Sequence, residues 1–506
     1  MLRLNNLKKT AIIDEVNKRF TYEELNLEIN RIESILMYLK PESILIRNSG
    51  SFLNVACIMA ALQTNTTYTV VSPDAPEYEY YTKLSMLNPD IIFTDLGVEE
   101  YRLVINLKRN AVEVGKGYKL LMADSYIFIH KLLTKVHSST SYYVSNEIDP
   151  KMACFHRGAS VQGYKFSMHL FKHIYKGLTK SQVYLGYEKK STVLYLENLE
   201  LLYNVINGVL APLANGSTVK FVGKEPLDTK LWNTVLYSST YLLETYLATL
   251  LNAMPKSINN CITRPVALRY AAIKYFGTNI NRLILNGKPS NTSLINNLNR
   301  KVTLLYTMCE VASFVSCKTH RKLNEKSSVG NPVDKDSIKI LSNSAKEYGP
   351  IMIHTEDMCV STNQSYSIES FFHVEPGRLN TKDIGYLDKK GEVVIINKSN
   401  LIYETHYGKL IEIGKYTDYA LSQNFVKNVQ IIRNDKGRLI MYIEPNLEWA
   451  VKEKLSVFNL YDLTYELEEN FKKKFKHAYP MSLFLYLEED GLDQQFYKII
   501  NRRETL

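Results

Sequence analysis

Over its first 345 residues this chain alternates short apolar runs with helical stretches, and that alternation constrains the fold more than any other feature. Thr21 stands before Tyr22-Glu23-Glu24, so its hydroxyl and the Glu24 carboxylate can close a capping box. Leu25, Ile29, Ile32, Ile35, Leu36 and Leu39 then recur at helical spacing. Ser43–Arg47 reads as a buried strand, Phe52–Leu62 as a helix, and Tyr68–Val71 and Ile91–Thr94 as further strands. The alternation continues through strand candidates Ala153–Phe155, Val193–Leu196, Thr218–Val222, Leu283–Leu285 and Thr303–Tyr306. Apolar strands separated by helices predict an α/β fold around a mostly parallel sheet, covered on both faces.

The pattern changes near residue 350. Residues 350–396 hold short strand-like runs and turns, ending in Asp388-Lys389-Lys390-Gly391 and Glu392–Ile396, which predicts a hairpin-rich, barrel-like subdomain. A boundary is expected at 397–400. Residues 401–506 then predict a small α+β domain, with a helix at 462–476 that places Leu463, Leu467, Phe471 and Phe475 on one face. A length of 506 residues agrees with more than one domain.

Charge and cysteines narrow the function classes. The net charge of +10 is mild for this length, and no basic stripe carries the interleaved aromatics of a single-strand binder, so nucleic acid is not an expected partner. The six cysteines (57, 154, 261, 309, 317, 359) form no CxxC pair, which predicts neither a zinc site nor a disulfide framework. Residues 1–6 contain no apolar core of a signal segment, and no run of 18 apolar residues occurs. The expectation is a cytoplasmic protein without a membrane partner.

A series of short motifs points further. Phe20–Leu25 is similar to "LTYxEL". Leu62–Pro76 is similar to "LKAGxAYVPLDPxxP" and keeps Tyr68, Pro73 and Pro76. Leu213–Gly216 with Thr218 fits "LLxGxT". Asn286-Gly287-Lys288-Pro289 stands where a Gly-Gly-Glu loop is expected, and Tyr306–Glu310 matches "YGPTE" at its two ends. Asn380–Asp383 with Gly385, Asp388 and Gly391 resembles "RTGDxGxxxxDG", and Tyr497–Arg503 resembles "GKIxRR". In this order the motifs resemble the adenylate-forming (AMP-binding) superfamily, nearest its amino-acid and aryl-acid activating branch. The resemblance implies an N-terminal adenylation core over 1–396, a hinge at 397–400 and a C-terminal lid domain over 401–506. It also implies ATP and Mg2+ as cofactors.

The resemblance assigns roles residue by residue. Lys498 would stabilise the charge that develops as the substrate carboxylate attacks the α-phosphate. Glu310 would hold Mg2+ as a hard carboxylate ligand. Asp383 would accept hydrogen bonds from the ribose hydroxyls, and Tyr306 would stack on adenine beside the loop of Gly287, Lys288 and Pro289. Lys398 stands where the family has arginine, and Asn400 near the hinge position. The phosphate loop "YTSGSTGxPKG" is altered here to residues 155–165, where Gly158 and the hydroxyl of Ser160 survive, the lysine falls on Lys165 only with one residue inserted, Val161 replaces a glycine and Arg157 a small hydroxyl residue. In the substrate pocket, Tyr203 falls where an amino-acid activating enzyme has aspartate, with Glu197 as the possible substitute. A plain α-amino acid would leave its ammonium unpaired there, so an aryl or other carboxylic acid becomes an alternative.

The implied reaction is ATP-dependent activation of a carboxylic acid to an acyl-adenylate, then transfer to the phosphopantetheine thiol of an acyl or peptidyl carrier protein. Lys472, Lys473, Lys474 and Lys476 offer such an acidic partner a surface, or form a solvated face. Two alternatives stay open. One is an acyl-CoA ligase using free CoA. The other is a pseudo-adenylation protein that serves as a binding or scaffold subunit.

Overall fold

The computed structural model describes residues 7–75, 80, 83, 89, 91–94, 151–157, 164–223, 231, 233–252, 280–289, 292–324, 327–334, 336–341, 348–359, 361–363, 372–373, 378–398, 402–404, 410–433, 439–474 and 482–485. They divide into two compact units. The first holds residues 1–381 and 385–395, the second 382–384 and 396–506.

The first unit is built on an eight-stranded sheet. Its strands are β1 (Thr10–Ile13), β2 (Arg19–Thr21), β8 (Thr192–Tyr195), β9 (Thr218–Phe221), β10 (Thr234–Ser239), β11 (Ile280–Asn286), β12 (Lys301–Tyr306) and β13 (Ser316–His320), in the order β13-β12-β11-β10-β8-β9-β1-β2. The six inner strands are parallel, and the two edges are antiparallel. Burial explains the unbroken apolar runs. Val193, Tyr195, Val235, Tyr237, Ile284 and Leu305 enter one core cluster, whereas Leu194, Leu236, Leu283, Leu285, Val302 and Leu304 enter another. Side chains alternate across a strand, so each run feeds both faces.

The helix expected after Thr21 is α1 (Tyr22–Leu39). Thr21 N donates to Glu24 Oε2 at 2.6 Å and Glu24 N to Thr21 Oγ1 at 3.2 Å, which closes the capping box. The Thr21 N–H, joined by the Thr21 hydroxyl, which donates to Glu24 Oε2 at 2.9 Å, holds the Glu24 carboxyl below its usual range. Leu25, Ile29, Ile32, Ile35 and Leu36 are buried, as the spacing predicts, and Leu39 is partly buried. Next come β3 (Ser43–Arg47), α2 (Ser51–Gln63), β4 (Thr67–Val70) and β5 (Ile91–Thr94). The three strands form a small parallel sheet, in the order β4-β3-β5.

One strand belongs elsewhere than the alternation implied. β6 (Lys151–Arg157) does not join the large sheet. It pairs antiparallel with β7 (Tyr164–Leu170), and both lie in a four-stranded sheet with β16 (Ser361–Asn363) and β17 (Phe372–His373). Six residues separate β6 from β7, too few for the crossover that a parallel pair needs. Then α3 (Phe171–Tyr184) leads to β8. A further helical run, α4 (Leu202–Val205), a π-helical turn (Ile206–Leu210) and α5 (Ala211–Ala214), leads to β9. α6 (Thr240–Asn252) follows β10, and α7 (Thr292–Asn296) lies between β11 and β12.

After residue 330 the elements are short strands. β14 (Ile338–Ile340), β15 (Gly349–Ile353), β18 (Leu379–Leu387) and β19 (Val393–Lys398) form a four-stranded sheet in that order. The turn between β18 and β19 is set by Asp388, whose Oδ1 accepts from Lys390 N and Glu392 N at 2.8 and 2.9 Å.

The second unit has a hairpin, β20 (Ile402–Glu404) with β21 (Leu410–Glu412), and then α8 (Ile413–Leu421). β22 (Val426–Arg433), β23 (Leu439–Pro445) and β24 (Ser482–Leu485) form a three-stranded sheet. α9 (Leu447–Lys452) and α10 (Val457–Lys474) connect β23 to β24. Leu467 and Phe471 of α10 are buried and Leu463 is partly buried, on the face the periodicity marks, while Phe475 lies outside the described residues. The helix starts five residues before the expected point. Ser456 and Asn459 cap it reciprocally, with Ser456 N donating to Asn459 Oδ1 at 2.8 Å and Asn459 N to Ser456 Oγ at 3.3 Å. Among the described residues no helix is long and apolar enough to cross a membrane.

Candidate active site

Parallel strands in one sheet all end on the same side, and ligands of open α/β sheets bind outside those carboxyl ends. Here β8 ends just before Glu197, β11 just before Gly287, Lys288 and Pro289, and β12 at Tyr306, four residues before Glu310. Six residues expected at the site from three segments therefore come to one sheet edge. Tyr203 lies in α4, half-buried, next to Asn204.

A buried polar network spans this edge. Asn286 Nδ2 donates to Asn204 Oδ1 at 2.7 Å and to Tyr237 Oη at 2.8 Å. Tyr237 Oη donates to Asn204 Oδ1 at 3.1 Å, and Asn204 Nδ2 donates to Glu197 Oε2 at 3.2 Å. Glu197 Oε1 accepts from the main-chain N–H of Ser239, the last residue of β10, just before α6. Burial pushes the Tyr237 hydroxyl far above its ordinary pKa, so it stays a donor. Asn286 Oδ1 is buried with no hydrogen-bond partner among the described residues. Asn286 opens the Asn286-Gly287-Lys288-Pro289 motif, but the sequence assigned it no role, and it did not mark Asn204 or Tyr237. Asn204 had only its adjacency to Tyr203 as a signal, and Tyr237 had none.

The π-helical turn packs onto this network. A Cβ on Gly208 would lie 2.6 Å from ring atoms of both Tyr195 and Tyr237, so only glycine fits. The two tyrosine rings stack with centroids 5.8 Å apart. π-turns are rare and frequent at functional sites.

The nucleotide-side residues are placed as follows. Gly287 has φ +85°, open to glycine and unfavourable for other residues. Lys288 Nζ donates to the Ile395 carbonyl at 3.2 Å. Tyr306 is 4% exposed, within the core cluster of Leu285 and Leu304. Glu310 is also 4% exposed. The Cys309 carbonyl accepts from Ser167 Oγ and His169 Nε2, each at 2.8 Å, and the Glu310 carbonyl accepts from Cys359 N at 2.7 Å. Lys165 is on β7. Asp383 is 6% exposed, on β18, and belongs with Lys398 to the second unit. Lys498, Gly158, Ser160 and Asn400 lie outside the described residues.

The basic stretch of α10 is largely occupied locally. Lys472 pairs with Glu468 and Glu469 at 3.4 and 2.8 Å, and Lys474 sits 3.8 Å from the Tyr419 ring centroid. Lys476 lies outside the described residues.

Burial gives two groups opposite pH signatures. It lowers the His169 pKa from 6.5 to about 4, helped by His173 and opposed by the Cys309 carbonyl. Between those values the unfolded chain takes up a proton that native His169 refuses, so stability falls as pH falls, by about 3 kcal/mol across the window. Burial raises the Glu33 pKa from 4.5 to about 7. There the native state keeps a proton that the unfolded chain releases, so that contribution falls as pH rises. The two oppose each other between about pH 4.5 and 6.5. His169→Gln is therefore expected to lose about 3 kcal/mol less than wild type between pH 6.5 and 4, read by urea unfolding across that range.

No protein-family model and no curated protein matches the sequence. Solved structures do. O-succinylbenzoate coenzyme A synthetase (MenE) from Bacillus subtilis, in complex with AMP, is 16% identical with a TM-score of 0.64, covering 95% of this chain and 92% of its own. The same synthetase in complex with ATP and magnesium ion gives 16% identity and a TM-score of 0.61, covering 95% and 94%. Apo MatB from Rhodopseudomonas palustris is 13% identical with a TM-score of 0.64, covering 99% and 97%. McyG A-PCP complexed with phenylalanyl-adenylate is 13% identical with a TM-score of 0.66, covering 99% and 93%. Over nearly its whole length, the chain has the α/β fold of the adenylate-forming, AMP-binding enzymes.

Proposed function

We propose that this protein activates a carboxylic acid with ATP and passes the acyl group to a thiol. The observation that carries the reading is the gathering of Glu197, the Gly287–Pro289 loop, Tyr306 and Glu310 at the carboxyl edge of the parallel sheet. The fold supports it, because structures that share it were solved with AMP, with ATP and magnesium ion, and with an acyl-adenylate.

A carboxylate oxygen of the acid attacks the α-phosphorus. The bond to the pyrophosphate oxygen breaks and its electron pair leaves with pyrophosphate, giving the acyl-adenylate. A thiolate, most simply a carrier protein's phosphopantetheine, then attacks the acyl carbon and expels AMP. Lys498 neutralises the oxygens that gain charge in the first step. Asp383 accepts from the ribose hydroxyls, Tyr306 borders adenine with Gly287, Lys288 and Pro289, and Gly158, Ser160, Lys165 and Lys398 serve the phosphates. Glu310 supplies the hard oxygen donor that suits Mg2+, which would neutralise phosphate charge when bound. Among the described residues no three His, Cys, Asp or Glu gather as a metal cage, so the remaining oxygen ligands would come from phosphate and water.

The acid lies against Tyr203 and Glu197. Glu197 already accepts from Ser239 N and Asn204 Nδ2. That leaves its carboxylate partly satisfied, and favours an acid with no α-ammonium over a plain amino acid.

A second reading is a binding or scaffold subunit. It is favoured by the deep burial of Tyr306 and by the bond that ties Lys288 to Ile395. Calorimetric titration with Mg·ATP separates the two. The enzyme reading expects saturable heat, a raised melting temperature, and acid-dependent pyrophosphate exchange into ATP across a panel of aryl, aliphatic and amino acids. No heat and no melting shift would sink it. Adding CoA or a phosphopantetheinylated carrier to the loaded enzyme then identifies the acceptor.

A further inference from the structure

We infer that Ser167 and His169 are positioning residues that aim the Glu310 side chain by fixing the peptide plane before it. The proposal rests on the role of Glu310 given above.

Both side chains project from one face of β7, two residues apart. Both are fully buried, and both reach the same carbonyl, that of Cys309, at 2.8 Å. A carbonyl offers two lone pairs, and here each has a donor. The platform is fixed as well. β7 is an interior strand, paired with β6 on one side and β16 on the other, and Ser167 itself stands opposite Cys154 and Thr362.

The consequence follows from planarity. The Cys309 carbonyl and the Glu310 N–H share one rigid peptide unit. The next unit, from the Glu310 carbonyl to the Val311 N–H, is held at both ends. Its oxygen accepts from Cys359 N at 2.7 Å, and Val311 N donates to the Met308 carbonyl at 3.1 Å. With both flanking planes fixed, φ and ψ of Glu310 are set, and so is the direction of its Cβ.

The tautomer is determined too. A carbonyl only accepts, so the proton of neutral His169 is on Nε2. Nδ1 is then a bare acceptor, and it is buried with no hydrogen-bond partner among the described residues. An orphaned buried nitrogen is unfavourable and calls for a reason. Reach and direction supply one, because the imidazole delivers a donor to a carbonyl 140 residues away in sequence.

The test compares His169→Leu, Ser167→Ala, the double variant and His169→Gln, whose Nε2 amide can replace the ring donor. Melting curves first establish that each is folded. Hydrogen exchange in peptides spanning 308–312, measured without nucleotide or metal, is expected to speed up about tenfold in the double variant and to stay near wild type in His169→Gln. In the pyrophosphate exchange assay, the Mg2+ concentration for half-maximal rate is expected to rise about tenfold in His169→Leu, with the KM for ATP little changed. Unchanged hydrogen exchange in the double variant overturns the proposal. So does faster hydrogen exchange with an unmoved Mg2+ midpoint. If the wild type exchanges no pyrophosphate, the proposed function falls, and the aim at a metal ligand falls with it. Hydrogen exchange alone then decides whether the two side chains fix this segment.

Discussion

Lys498→Ala is expected to slow acid-dependent ATP–pyrophosphate exchange by about 10²–10³-fold, the usual loss when one preorganised group facing developing charge is removed. Its contribution is confined to the step in which the carboxylate attacks and pyrophosphate leaves. Binding of Mg·ATP in the absence of acid should therefore change far less than the rate. Lys498→Arg keeps the charge but spreads it over a planar fork of different reach, so it should restore only part of the activity. Lys472→Ala is the control, since that ammonium is already held by Glu468 and Glu469 of its own helix. Its exchange rate should equal wild type. Equal rates in Lys498→Ala and wild type would remove the lysine from the chemistry and return the stretch 497–503 to a solvated basic segment.

The sequence made elements legible where local chemistry alone decides them. The capping box at Thr21 and Glu24, the buried stripe of α1 and the turn at Asp388 each depend on residues within a few positions, and each formed as the spacing predicts. Sheet membership was less legible. The run in β6 looks like any buried strand, and only the short distance to Tyr164 makes it half of a hairpin. β10 is not among the expected strands, although Val235, Leu236 and Tyr237 are as buried as any strand. At the site, Gly287, Lys288 and Glu310 were legible from the motif series, and Glu197 as a substitute for the aspartate that Tyr203 replaces; each directly follows or closely trails a strand. Their partners were hidden by distance along the chain. Asn204 meets Asn286 across 82 residues, Lys288 meets Ile395 across 107, and His169 meets Cys309 across 140. No periodicity encodes such pairs, because the topology alone brings them together.

Lys180→Met carries the largest expected stability change. Lys180 Nζ lies 2.9 Å from both oxygens of Asp357 and 2.9 Å from Asp334 Oδ2, with side-chain exposures of 5%, 0% and 35%. Thr355 Oγ1 bonds Asp334 Oδ2 at 3.0 Å and also reaches Asp357 Oδ1. Replacing the lysine leaves a fully buried carboxylate whose remaining side-chain hydrogen-bond partner among the described residues is the Thr355 hydroxyl, with Lys176 acting on it only through the longer-range field. Removing one partner of a buried pair is worth about 3–5 kcal/mol of destabilisation, because the remaining charge is uncompensated. Lys180→Met with Asp357→Leu removes both charges and should recover most of that loss. The main-chain carbonyl of Asp357 accepts from Ala312 N and survives in both variants, so the strand-like contact beside Glu310 is not the variable. Urea unfolding followed by a probe in the first unit reads the difference. A loss below about 1 kcal/mol in the single variant would mean that water reaches Asp357 once the lysine is gone. A double variant no more stable than the single one would mean that the packing of the two side chains, rather than their charges, holds α3 against the 355–357 segment.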